Sequence, residues 1–368
     1  MKNKHTEADT LLEEARIMLQ KVDKSPIFQG NSSSKRVIPT FASEEIESGE
    51  VLGVGTCGVV REIVNISAKE SIMECRRGRR ARYAIKALGA ETGLTELEKA
   101  RRRIDLAIEI KYLKALDHPN IIRLRGLCGT NDSIDQKNFF VMDRLYGTLE
   151  DSIEEWKKLK QSSKGGLLQR QKQDVIDDLT SERLVVAFDL SSALSYMHKK
   201  QVIHRDIKPE NIGFDVRHDV KIFDFGLAKS LNPDLHARNG LYRLTARTGS
   251  FPYMAPEVAK KELYNEKCDV FSLGMVLYEM MSFKKPFPYL KTRREYYEKI
   301  SVAGSRPTFS RGMCSSKVQN LIKASWNQLS TKRPSMEQIC SRLKEELDED
   351  IEEHTATLLN RSGRSLQG

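Results

Sequence analysis

Near position 146 the residue pattern of this chain changes, and that change limits the folds open to it. Ahead of it lie short runs of β-formers. Val51 to Val64 is one such run, interrupted by three glycines, and reads as a hairpin; Tyr83-Ala84-Ile85-Lys86 and Phe139-Phe140-Val141-Met142 read as further strands. Thr95 to Leu116 is the one long helix there, with Leu106, Ile110 and Leu113 on a shared face. Beyond position 146 the pattern is helical, strongest over Leu184 to His198 and from Asp269 to about Glu346. A strand-rich part followed by a helix-rich part, without internal repeats, predicts an α+β chain of two lobes: a small β-rich one with one main helix and a larger, mostly helical one.

The boundaries follow from local composition. Residues 1–44 form an N-terminal extension with a short amphipathic helix carrying Leu11, Leu12, Ala15, Met18 and Leu19, then a Ser/Gly-rich linker. Residues 45–145 and 146–346 are the two lobes, and 347–368 a C-terminal tail. Two stretches read as inserted surface loops: Ile66 to Arg82, and the polar run Lys157 to Asp178.

Composition excludes several classes. The six cysteines are far apart with no C-x-x-C pair, which argues against a zinc knuckle and suits free thiols in a reducing compartment. No stretch approaches the roughly 18 apolar residues of a membrane helix. The N-terminus lacks a secretory pattern, so the expected location is cytoplasmic or nuclear. The formal charge of +10 is concentrated in two knots, Arg76, Arg77, Arg79, Arg80 and Arg82, and Lys99 with Arg101 to Arg103. No aromatic residues interleave with them as a stacking platform requires, so nucleic-acid binding ranks last.

Gly53-Val54-Gly55-Thr56-Cys57-Gly58-Val59-Val60 fits G-x-G-x-x-G-x-V, a string whose missing Cβ atoms let backbone N–H groups approach phosphate. A dinucleotide fingerprint would open a helix at the glycines, whereas Val59-Val60 continues as strand. Lys86, on the next strand, is an ordinary solvated lysine in isolation. After a glycine loop it is placed for the α- and β-phosphates and needs a carboxylate to hold it, for which Glu109, mid-helix, is the best candidate. His204-Arg205-Asp206-Ile207-Lys208-Pro209-Glu210-Asn211 is followed by Asp224-Phe225-Gly226 and Ala255-Pro256-Glu257. Asp206 can take a hydroxyl proton, Lys208 can neutralise a transferred phosphoryl group, and Asn211 and Asp224 are hard oxygen ligands for Mg²⁺.

In this order, over residues 45 to 346, these motifs resemble the eukaryotic protein kinases, and Asp-x-Lys-Pro-Glu-Asn resembles the serine/threonine type. Subfamily is not assigned beyond a likeness to the tyrosine-kinase-like group. The resemblance implies ATP and Mg²⁺ as cofactors, protein Ser/Thr hydroxyls as acceptors and an upstream activating kinase. It implies a nucleotide site of Gly53, Val54, Gly55, Thr56, Cys57, Gly58, Val60, Ala84 and Lys86, with Met142 as gatekeeper and the backbones of Asp143 and Leu145 on the adenine edge. Asp269 would brace the catalytic loop, Arg333 would pair with Glu257, Ser250 would position substrate, and Arg205 would receive a segment phosphorylated at Thr245 and Thr248. A scaffold that has lost catalysis is the rival reading, and the presence of Lys86, Asp206 and Asp224 argues against it.

Overall fold

The computed structural model describes residues 37–55, 58–67, 76–77, 80–89, 93–128, 139–162, 169–232, 236–237 and 239–364, with backbone alone for 76–77, 80, 169–175 and 353–364. The expected N-terminal helix lies outside the described residues, as do Thr56 and Cys57. The described chain forms two compact units. The first holds the residues up to Tyr146 together with Lys200–Val202 and Gly213–Asn232; the second holds Gly147–Lys199, Ile203–Ile212 and everything after Asn232.

In the first unit a six-stranded sheet runs in the order β1-β7-β8-β6-β3-β2. Its strands are β1 (Thr40–Phe41), β2 (Ile46–Val54), β3 (Gly58–Ile66), β6 (Tyr83–Leu88), β7 (Leu124–Cys128) and β8 (Phe139–Asp143). One face buries Phe41, Ile63, Tyr83, Ile85 and Val141 as a cluster. Because side chains alternate along a strand, Ala84 and Lys86 project from the opposite face of β6, toward α1 (Glu96–Ala115). The first turn of α1 is closed by a capping box in which the Glu98 N–H donates to Thr95 Oγ1 at 3.3 Å and the Thr95 N–H to Glu98 Oε2 at 2.8 Å. Leu106, Glu109, Tyr112 and Leu113 form its buried stripe. The run Ile66 to Arg82 is partly strand: β4 (Arg76–Arg77) pairs antiparallel with β5 (Arg80–Ala81), so part of the first arginine knot sits on a hairpin.

Gly58 is required by the sheet itself. A Cβ there would sit 2.2 Å from the Ala87 carbonyl oxygen. Gly58→Ala is therefore expected to cost about 2–3 kcal/mol as β3 and β6 are forced apart, read as a lower urea midpoint. Gly53→Ala, with nothing within 4 Å of its Cβ position, should leave the midpoint within error.

The second unit is helical. Its centre is α5 (Lys267–Ser282), every residue of which from Cys268 to Met281 is buried. A helix apolar all round belongs in a core, so the one carboxylate in its first turn, Asp269, must find partners there. Around it are α2 (Leu149–Ser162), α3 (Gln169–Lys199), α4 (Pro256–Ala259), α6 (Arg293–Tyr296), α7 (Ser316–Ser325) and α8 (Met336–Arg364).

Two expectations change here. The run Lys157 to Asp178, expected as a loop, is helical over most of its length, as the end of α2 and the start of α3, leaving 163–168 outside the described residues. Likewise the helical pattern does not stop near Glu346, since α8 continues to Arg364. It lies antiparallel to α3, with Lys199 Nζ on Glu337 Oε1 at 2.5 Å and, further out, the Ser181 hydroxyl on Asp350. A partner helix stabilises a polar segment that its own pattern would not mark as helix.

Candidate active site

In the first unit the β2–β3 turn is closed by the Gly55 N–H donating to the Gly58 carbonyl at 2.8 Å. Among the described residues there is room above Gly53 and Gly55: Cβ atoms built there would meet none of them within 4 Å and only Gly58 O at 3.9 Å, respectively. These two glycines therefore leave open space beside backbone, whereas Gly58 serves sheet packing. Val60 lies opposite Lys86 in the β3–β6 register, and Ala84 opposite Met142 in β6–β8. Ala84 and Met142 are both buried.

Lys86 Nζ donates to Glu109 Oε2 at 2.6 Å, bringing together two residues that the motif order had only suggested as partners. Glu109 is buried and also accepts from the Phe225 backbone. Burial pushes its carboxyl above the usual range, the Lys86 ammonium opposes this, and the Asp224 carboxylate adds to the rise. Asp224 has a left-handed backbone with φ 63°, and its Oδ1 accepts from Gly226 N–H at 3.4 Å. Phe225, next to it, is fully buried and anchors the turn.

The strand β8 runs out through Asp143 into 144–146. The Asp143 N–H donates to Arg123 O at 3.3 Å, and its carboxylate pairs with Arg125 Nε at 2.7 Å. The Arg144 N–H donates to Arg82 O at 2.9 Å and the Tyr146 N–H to Phe214 O at 2.8 Å. The Leu145 peptide between them takes no hydrogen-bond partner among the described residues.

In the second unit Asp206, Lys208 and Asn211 are drawn together. Asp206 Oδ2 accepts from Asn211 Nδ2 at 2.9 Å and pairs with Lys208 Nζ at 3.0 Å. Asp206 Oδ1 is buried and has no hydrogen-bond partner among the described residues. A second bond from Asn211 Nδ2 to the Asp206 carbonyl, 2.9 Å, fixes the amide so that its oxygen points away from both acceptors. Lys208 Nζ also donates to Ser250 Oγ at 2.9 Å. Gly249 adopts φ 101°, and a Cβ on it would lie 2.5 Å from Arg205 O and 3.6 Å from Asp206 Oδ1. The sequence reading assigned Gly249 no role; its position directly before Ser250 was the available signal.

Asp269 finds its partners in the same loop. Its Oδ2 accepts from the His204 N–H at 2.8 Å and bonds His198 Nε2 at 3.0 Å, and its Oδ1 accepts from the Arg205 N–H at 2.9 Å. Burial alone would raise this carboxyl, but the bonds from His198 and His204 outweigh it and hold the group below its ordinary value. Arg333 and Glu257 form a buried bidentate pair, Nη1–Oε1 at 2.6 Å and Nη2–Oε2 at 2.8 Å. Arg205 Nη1 donates to the Tyr264 hydroxyl at 3.2 Å, which in turn donates to Thr245 O at 2.8 Å.

A second acidic group lies near the loop. Glu279 accepts from the Tyr253 hydroxyl at 2.6 Å, and burial, with Glu210 and Glu150 adding to it, pushes its carboxyl up to about 7. A folded-state value above the ordinary 4.5 favours the protonated form in the folded state. Its contribution to stability is full below pH about 4.5 and is lost as pH rises through about 7. Glu279→Gln should flatten the fall in melting temperature between those values, removing up to 3 kcal/mol (order of magnitude, ~1.4 kcal/mol per unit) of pH dependence. An unchanged pH profile would refute the assignment.

Among the described residues no helix is long and apolar enough to cross a membrane, and the four described cysteines, Cys128, Cys268, Cys314 and Cys340, are free. A protein kinase domain model matches residues 46–343. The serine/threonine-protein kinase VIK of Arabidopsis thaliana is 32% identical over 250 residues, 65% of this chain and 50% of that protein. A probable LIM domain-containing serine/threonine-protein kinase of Dictyostelium discoideum is 30% identical over 307 residues, 83% of this chain and 40% of that protein. The chain thus spans half or less of the length of these relatives.

Proposed function

The chain belongs to the protein kinase family, and on that premise we propose that it is a magnesium-dependent serine/threonine kinase that transfers the γ-phosphoryl group of ATP to protein hydroxyls. The observation that carries the reading is Asp206. One of its carboxylate oxygens is held by Asn211 and Lys208, while the other is buried without a partner. An unpartnered buried acceptor costs stability, so its retention suits a group that receives a ligand's proton.

The remaining residues fit the groups the family uses. Open space at Gly53 and Gly55 suits phosphate oxygens approaching backbone, and the unpartnered Leu145 peptide suits a purine edge. Asn211 and Asp224 supply an amide oxygen and a carboxylate, a hard donor set of the kind Mg²⁺ takes alongside phosphate and water. The bound metal would neutralise charge on the phosphates. Lys86, oriented by Glu109, holds the α- and β-phosphates; Asp206 orients the acceptor hydroxyl and takes its proton; Lys208 stabilises charge on the transferring group. Most of the rate comes from positioning and fixed charge. Ser250, tied to Lys208, orients the acceptor segment, and phosphorylation at Thr245 and Thr248 regulates the enzyme through Arg205, as the nearby Arg205–Tyr264–Thr245 chain supports.

The test is transfer from radiolabelled ATP with Mg²⁺ to a generic basic protein, followed by phosphoamino-acid analysis. Phosphoserine or phosphothreonine is the expected product. No transfer, even after preincubation with Mg-ATP, would overturn the reading.

A further inference from the structure

The segment that carries the Leu145 peptide is clamped by a side-chain arrangement outside every motif considered above. We propose that Arg144, held by Glu62, is a positioning residue that sets the Leu145 peptide for the nucleotide base, and so governs ATP affinity and the choice of purine. The inference rests on the kinase reading above.

Four observations within the first unit carry it. Arg144 Nη1 is ion-paired with Glu62 Oε2 across the sheet, both side chains being only 18% exposed. The Arg144 guanidinium also lies 4.7 Å from the centre of the Tyr146 ring, so the residues either side of Leu145 are locked to each other. The Tyr146 hydroxyl donates to the Ala81 carbonyl and the Arg144 N–H to Arg82 O at 2.9 Å, tying the segment to the β5–β6 connection. Lastly, Glu62 reaches Arg144 by lying across Gly49 of β2: a Cβ on Gly49 would fall 2.7 Å from Glu62 Oε1 and 2.8 Å from its Cγ. Gly49 is thus a glycine whose absent side chain makes room for the clamp.

Among the described residues Arg144 Nε is buried with no acceptor, a cost that the ion pair carries alongside its contribution to stability. What the arrangement achieves is a peptide fixed on both sides and left unpartnered at its centre. An N–H and a C=O held in one orientation read adenine and guanine differently, because the two bases present opposite donor and acceptor patterns at that edge.

Steady-state kinetics with Mg-ATP and with Mg-GTP test this on the full chain, comparing wild type with Arg144→Ala, Gly49→Ala and the exchanged pair Glu62→Arg/Arg144→Glu. Arg144→Ala should raise the KM for ATP on the order of tenfold, with kcat falling by less and the ATP-over-GTP preference shrinking. Gly49→Ala should move KM in the same direction, and the exchanged pair, which restores the ion pair but not the guanidinium over the Tyr146 ring, should recover part of the ATP KM. An unchanged KM and purine preference in Arg144→Ala overturns the proposal while leaving the kinase reading intact. So does a fall in kcat and melting temperature together with an equal rise in the KM for ATP and for GTP, none of it reversed by the exchanged pair, since that marks a purely structural pair. A wild type that neither transfers phosphate nor binds Mg-ATP in calorimetry overturns the kinase reading, and this proposal with it.

Discussion

Asp206→Asn is expected to lower the rate of phosphoryl transfer by about 10²–10⁴-fold, while Mg-ATP affinity and melting temperature stay close to wild type. Asp206 Oδ2 faces two donors, Asn211 Nδ2 at 2.9 Å and Lys208 Nζ at 3.0 Å. In the variant the amide oxygen must take that place, since an NH₂ there would oppose both donors. The NH₂ then falls where Oδ1 stood, and it can neither accept nor orient a hydroxyl proton. The fold keeps its bonds, so the loss falls on chemistry. Single-turnover transfer read beside calorimetric nucleotide binding separates the two, and a rate within tenfold of wild type would remove Asp206 from the role of base.

Asp224→Asn should abolish turnover, by about 10³-fold or more, and with it the dependence of nucleotide affinity on Mg²⁺. The backbone argues that the fold survives. Asp224 sits at φ 63°, a region asparagine also tolerates, and an amide oxygen can keep the bond from the Gly226 N–H. Removing the charge also relieves Glu109, whose carboxyl the Asp224 charge helps to push up, so thermal stability at neutral pH should hold or rise slightly. A magnesium titration of nucleotide binding followed by denaturation checks both halves. Robust transfer by the variant would refute the metal assignment.

Stretches with a strong local period were legible in the sequence. The long helix from Thr95 and the buried strand Phe139 to Met142 are local signals and lie where their patterns place them; of the expected face Leu106 and Leu113 are buried, whereas Ile110 is half-buried and Glu109 and Tyr112 complete the stripe. Where the period is weak the reading failed. Lys157 to Asp178 is polar, so nothing local marks it as helix, and α8 beyond Glu346 is held by α3 rather than by a stripe of its own.

The candidate site divides along the same line. Residue types and their order determined which chemistry is proposed: Lys86, Asp206, Lys208, Asn211 and Asp224 stand out because phosphoryl transfer needs those groups in that succession. Tertiary structure alone decided how they are held. The sequence singled out Glu109 as the candidate partner of Lys86, and packing decided that the two meet, at 2.6 Å. Three glycines look alike in the string, yet only Gly58 is pressed against a neighbouring strand. Nothing near Arg144 in the sequence points to Glu62 or to Gly49 beside it. Sequence order carries the identity of reactive groups and short-range periodicity; which side chain meets which across a sheet depends on register, close packing and the exclusion of water, and those are settled only when the whole chain has folded.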